Sequence, residues 1–390
     1  MGGIFELKDI VWFFLGWLVP ELIQKLFRFI SDKNCKNKIK KVNANYIKTD
    51  ENICPLSHGL PYYDKKNMIL SEPLQDFHFR MPEEIHRAIC EINPDFEHTK
   101  WNQECSYWGK SDDTEMINAI LKITKNISPD DIRGLLEKKK IEVAEMFRRR
   151  ATEAFFNGEM YGIKTMYDRR EGNEEKVIFK TDNIKTDYYT HRVMAAVYQE
   201  LLKNEHIVPP DGLRNINLYY PFLTAVGMDV VLVIENMNKV VVTKRSRQLI
   251  NMTEDQWHLS MNEAISITDL HFEAIDLEGC VRRGLREELG IDLNQINQYR
   301  LHYSDVFFLK NPFEVGILGF VIIDELTEAM VRDAYNIAQD APLESTGNDQ
   351  TGLKFLPLSD AKIAKFCREN NVTAAMKYAL KMLCIRKNML

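Results

Sequence analysis

The chain has 390 residues, enough for two or three domains with cores of their own. Apolar residues make up 45% and charged residues 28%, as in a globular protein, and a net charge of -6 argues against non-specific binding of duplex nucleic acid. The 7 cysteines are odd in number and widely spaced, without a C-x-x-C, which points to free thiols in a reducing compartment rather than a disulfide framework or a zinc site.

Residues 10–20 read IVWFFLGWLVP, an uncharged run with two tryptophans. Ile23, Leu26, Phe27, Phe29 and Ile30 extend its apolar character, but Glu21, Lys25 and Arg28 interrupt it. Eleven residues are too few for a bilayer core of about 30 Å. A helix over residues 10–30 reaches across only if its charges snorkel or pair. Lys33, Lys36, Lys38, Lys40 and Lys41 follow, a cluster that favours the cytoplasmic side and anionic lipid. The expectation is a membrane-anchoring hydrophobic helix over residues 1–42, with the bulk of the chain cytoplasmic. A buried or oligomer-forming helix is the alternative.

Residues 43–208 read as a small α+β domain of no family we recognise. His58, His78, His86 and His98 lack metal-ligand spacing and read as structural. Ser128-Pro129-Asp130-Asp131 is a strong helix start, an N-cap followed by proline and acids, and predicts a helix to about Phe156. Its runs Lys138-Lys139-Lys140 and Arg148-Arg149-Arg150 alternate with Glu137, Glu142, Glu145 and Glu153, as on a solvated face, with contact to membrane or a phosphorylated ligand as the alternative. Two strands, 160–167 and 176–181, and an amphipathic helix, 187–203, complete this part. Pro209-Pro210-Asp211-Gly212 marks the boundary to a domain over residues 209–390.

Residues 227–246 predict two strands around an Asn-containing turn, and residues 311–324 a further core strand. Residues 351–358 read as a late strand, with a helix from Ser359. Between them lies DLEGCVRRGLREELGID, residues 276–292. Leu277, Cys280, Val281, Gly284, Leu285 and Leu289 recur at helical spacing, Asp276 suits the N-cap and Gly290 a left-handed stop. Glu287 and Glu288 sit where the helix dipole disfavours acids, so a cation or neighbouring arginines must account for them. Arg283 is one turn before Glu287 and suits an i,i+4 pair.

This run resembles the Nudix box, G-x5-E-x7-R-E-U-x-E-E-x-G-U with U a bulky apolar residue. Arg283, Leu285, Glu287, Glu288, Gly290 and Ile291 match, whereas Gly284 stands at a metal-binding glutamate, Ile275 at an earlier glutamate and Asp269 at the first glycine. The second predicted strand ends in Lys244-Arg245, like the basic pair of the corresponding Nudix strand. Trp257 stands where the family often has a tryptophan, and Ser260-Met261-Asn262-Glu263 replaces the Gly-Gly turn.

The resemblance implies an α+β chain with a C-terminal Nudix-like α/β/α sandwich on a mixed sheet. It implies hydrolysis of a diphosphate linkage in a nucleotide derivative, because Mg²⁺ or Mn²⁺ neutralises the pyrophosphate and lowers the pKa of bound water. It assigns catalytic roles to Glu287, Glu288 and Arg283, and substrate contacts to Lys244, Arg245 and Trp257. The metal falls to Glu287, Glu288 and, in place of residue 284, Glu263, with Asp269, Asp340 and Glu344 as further candidates. The altered box leaves a second expectation, a nucleotide sensor without turnover that signals to the anchor or the middle domain. A third, an isomerase-like relative acting on a diphosphate lipid precursor, requires a protonating acid and a cysteine or glutamate pair facing the pocket, whereas Cys280 lies on the apolar side.

Overall fold

A computed structural model describes residues 50–56, 68–94, 96, 114–151, 157–170, 177–244, 256–271, 274–338, 352–388 and 390. The expected anchor over residues 1–42 lies outside them. Among the described residues no helix is long and apolar enough to cross a membrane.

The chain is α+β. In order it forms β1 (Ile53–Pro55), β2 (Met68–Asp76), α1 (Glu83–Ile92), α2 (Thr114–Leu121), α3 (Pro129–Arg149), β3 (Glu159–Arg170), β4 (Val177–Asp187) and α4 (Tyr188–Lys203). The short α5 (Leu213–Ile216) leads to β5 (Val226–Ile234), β6 (Lys239–Lys244), β7 (Trp257–His258), β8 (Met261–Ala264), β9 (Leu270–His271), β10 (Ala274–Ile275) and α6 (Leu277–Leu289). Then come β11 (Arg300–Leu309), β12 (Glu314–Ile323), α7 (Glu328–Tyr335), β13 (Leu353–Pro357), α8 (Asp360–Glu369) and α9 (Ala374–Arg386).

Two mixed sheets organise these elements. The larger has the order β1-β11-β12-β5-β6-β13, with β7 on β6 and β8 on β5; the smaller runs β3-β4-β2-β10-β9. β5 pairs in parallel with β12, and β2 with β4. Every position of β5 is buried, because helices cover both faces of its sheet. Met228, Val230 and Leu232 belong to the core with Leu285 and Leu289 of α6. Val231 and Val233 belong to the opposite core, with Ile363 of α8 and Leu380 of α9.

Local signals placed several of these elements. Ser128 and Asp131 form a reciprocal capping box at the start of α3. That helix ends at Arg149, short of the predicted Phe156. Its charges are balanced: Lys140 lies 3.0 Å from Glu137, Lys139 2.8 Å from Glu142 and Arg148 2.9 Å from Glu145. The turn between β5 and β6 places Glu235, Asn236 and Met237 at positive φ.

Pairing also crosses the turn at Pro209 to Gly212. β1 precedes that turn but extends the larger sheet, with Cys54 opposite Phe308 of β11. β10 follows it but joins the smaller sheet, with Ala274 opposite Ser71 of β2. One continuous apolar core contains Tyr161 and Ile163 of β3 together with Val230 of β5 and Leu285 of α6. The box helix therefore starts directly after a strand of the smaller sheet.

Candidate functional site

Asp276 is the N-cap of α6, and Gly290 at φ 68° is its left-handed stop. The Gly290 N–H donates to Arg286 O and the Ile291 N–H to Leu285 O, closing the last turn. A side chain at 290 would also collide with the backbone of Ala334, since its Cβ would lie 2.1 Å from that carbonyl oxygen. The buried face comprises Leu277, Cys280, Val281, Gly284, Leu285 and Leu289, as their spacing predicts.

Gly284 brings α6 close against β8. A Cβ at 284 would lie 2.6 Å from Glu263 Cγ and 2.7 Å from Met261 Sδ, and Met261 is fully buried. The space beside Gly284 is therefore filled from the adjoining strand, partly by a thioether and partly by the stem of Glu263.

Arg283 is the centre of the acidic cluster. Its Nε donates to Asp269 Oδ1 at 3.1 Å, and its Nη2 to Asp269 Oδ2 at 3.0 Å and to Ala264 O at 3.0 Å. Nη1 donates to Glu263 Oε2 at 2.8 Å and to Glu287 Oε2 at 3.2 Å. Burial disfavours the guanidinium charge, but bonding to Asp269 and the fields of nearby acids outweigh it and hold its pKa far above the ordinary range. Burial, and then the Asp269 charge, push the neighbouring Cys280 thiol well above its usual pKa. Cys280 is fully buried and belongs to the apolar core, as its spacing predicts.

The predicted residues divide into three groups. Arg283, Glu263 and Glu287 converge through one guanidinium nitrogen. Glu288 joins them on the β8 side, accepting the Asn262 N–H at 2.7 Å, while the Asn262 amide donates to the buried Asp229 at 2.9 Å. Lys244 and Trp257 lie opposite each other on β6 and β7, not beside the acids. Trp257 packs on the other face of the sheet, its ring 5.7 Å from that of Phe366 in α8, with Lys354 Nζ 5.2 Å from both rings. Arg245, Asp340 and Glu344 lie outside the described residues.

Asp269, a candidate ligand by sequence, instead anchors Arg283. Its Oδ2 also accepts the Ser266 N–H at 2.9 Å, so both oxygens are engaged. The Ser266-x-x-Asp269 capping box was the legible signal for that role. Nothing in the residue pattern announced Met261 as the side chain that closes the space over Gly284.

The fit to a divalent ion is poor as the side chains stand. A guanidinium nitrogen lies between Glu263 and Glu287, and Glu288 is bound to the backbone. Among the described residues no group of three or more His, Cys, Asp or Glu side chains is arranged to hold a metal ion.

No family model matches the chain. No curated protein matches it either. Among solved structures it is similar to DR0079 from Deinococcus radiodurans, at 13% identity and a TM-score of 0.28, over 40% of this chain and 82% of that one.

Proposed function

We propose that residues 209–390 form a Nudix-like domain that binds a nucleotide derivative without hydrolysing it, and so acts as a sensor. The smaller sheet and the N-terminal apolar segment are the parts it would signal to, the latter as a membrane anchor. The observation that carries this reading is the packing at Gly284. Met261 and Glu263 fill the place of the missing ligand, and Arg283 already supplies the positive charge between two remaining acids. A diphosphate would approach a site whose carboxylates are committed to protein partners.

The test is calorimetry of the full-length chain over a panel of dinucleotides, nucleoside diphosphate conjugates and cyclic nucleotides, with and without Mg²⁺ or Mn²⁺. Saturable binding with every ligand recovered intact is the expected result. Turnover of any ligand in the panel would reject it.

A second reading, a Mg²⁺- or Mn²⁺-dependent hydrolase, is favoured by one observation. Glu263, Asp269 and Glu287 share the partly buried Arg283 guanidinium, with Glu288 beside them on the Asn262 backbone, so acids outnumber the cation in the cluster. This reading requires Glu263 and Glu287 to leave Arg283 and join Glu288 on the metal. Release of a phosphorylated product that disappears in Glu287→Gln plus Glu288→Gln would establish it.

A further inference from the structure

A cavity of about 380 Å³ adjoins the acidic cluster, with Arg283 and Asp269 lining it. Its floor is the helix stripe Asp276, Gly279, Arg283 and Arg286, and its wall includes Thr268, Asp269 and Leu270. The spacing i, i+3, i+7, i+10 keeps these four residues on one face of α6.

The two arginines differ. Arg283 is held by Asp269 on the wall side and by Glu263 and Glu287 behind. Arg286 is exposed and makes no ion pair or side-chain hydrogen bond among the described residues. At the far end, Asp276 occupies the N-cap without making a capping bond. Its carboxylate keeps a favourable place in the field of the helix N-terminus, without a side-chain partner among the described residues. It folds back over Gly279, where an added Cβ would lie 2.9 Å from Asp276 Oδ2. Glycine at 279 keeps that carboxylate on the cavity floor rather than displacing it into solvent.

Besides the paired Asp269 and Arg283, the cavity presents Arg286 and Asp276, both without a side-chain partner among the described residues and ten helix positions apart. At 1.5 Å per residue their backbones are separated by ~15 Å along the axis. The stripe suits an elongated molecule with an anionic group at one end and hydrogen-bond donors at the other. A guanidinium favours phosphate oxygens, and a carboxylate favours hydroxyl or amino donors.

We propose that this cavity binds a small phosphate ester, with its phosphoryl group on Arg286 and its hydroxyl- or amine-bearing end on Asp276. The site shares Arg283 and Asp269 with the acidic cluster, but Glu287 and Glu288 do not line it. It rests on the sensor reading only in offering that reading a place for its ligand.

The experiment is calorimetry of the full-length chain with inorganic phosphate, ribose 5-phosphate and adenosine monophosphate as probes. Arg286→Gln is expected to weaken all three at least tenfold. Asp276→Asn is expected to weaken the two esters several-fold and leave phosphate unchanged. Thermal melting of each variant, unchanged from the parent, shows that the fold is retained, and Arg286→Lys is expected to restore part of the affinity. Absence of saturable binding of every probe would overturn the proposal, as would binding that survives Arg286→Gln. If Glu287→Gln plus Glu288→Gln abolishes binding and Arg286→Gln does not, the ligand sits on the acidic cluster. That outcome overturns the cavity and leaves the sensor reading standing.

Discussion

Met261 and Gly284 meet so closely that no side chain fits between them: a Cβ on 284 would come within 2.7 Å of the Met261 sulfur. A mid-helix glycine costs roughly 1 kcal/mol relative to alanine, and here it permits the contact between α6 and β8.

Gly284→Ala should therefore destabilise the chain despite the better helix former, by about 1–3 kcal/mol from overpacking. Gly284→Glu, with a larger side chain, should be worse, and Met261→Ala in the same chain should recover part of the loss. Denaturant midpoints of the two single variants and the double variant decide this. Stability of Gly284→Glu equal to the parent would refute the packing argument.

Arg283 is irreplaceable by lysine if its fork matters. Lysine lacks the geometry to bond Asp269 through two nitrogens and also reach Glu263 and Glu287. Arg283→Lys should cost on the order of 3 kcal/mol, because it leaves partly buried carboxylates poorly paired. Asp269→Asn in the Arg283→Lys background should cost much less than in the parent. A double-mutant cycle measures the difference, and additive effects would contradict the coupling.

His191 of α4 provides a pH test. Burial, reinforced by the nearby Arg192 charge, depresses its pKa from 6.5 to about 3, and its Nδ1 lies 3.1 Å from the Thr224 hydroxyl. The unfolded chain takes up a proton near pH 6.5, whereas the folded chain does so only near pH 3. The neutral ring's contribution is thus complete above the unfolded value and is lost as pH falls through that window. The slope approaches 1.4 kcal/mol per unit, by roughly the linkage of one proton. His191→Asn should flatten the acid limb of stability against pH between those limits. An unchanged limb would show that the imidazole is not buried neutral.

Trp257→Ala should separate binding from packing. The indole lies against Phe366 on the face away from α6. The variant should lose about 1–3 kcal/mol of stability through the C-terminal helices, while affinity for any ligand at Arg283 or Arg286 stays within twofold. A tenfold loss of affinity at unchanged stability would return the tryptophan to the ligand.

What the amino-acid order determined by itself was local. The start and stop of α6 were legible because Asp276 and Gly290 act within one turn of themselves. The strands of residues 227–244 were legible because two β-branched runs flank an Asn-containing turn. The capping box at Ser128 was equally plain. The tertiary structure decided the rest. Residues separated by more than two hundred positions share a sheet where Cys54 faces Phe308, a pairing that no periodicity records. Only packing showed that Trp257 stands across the sheet from the acids. Only packing showed that Met261 fills the space beside Gly284 and that Asp269 holds an arginine. Side-chain spacing along a helix specifies a face, but what covers that face is chosen by distant chain, through contacts that depend on shape rather than order.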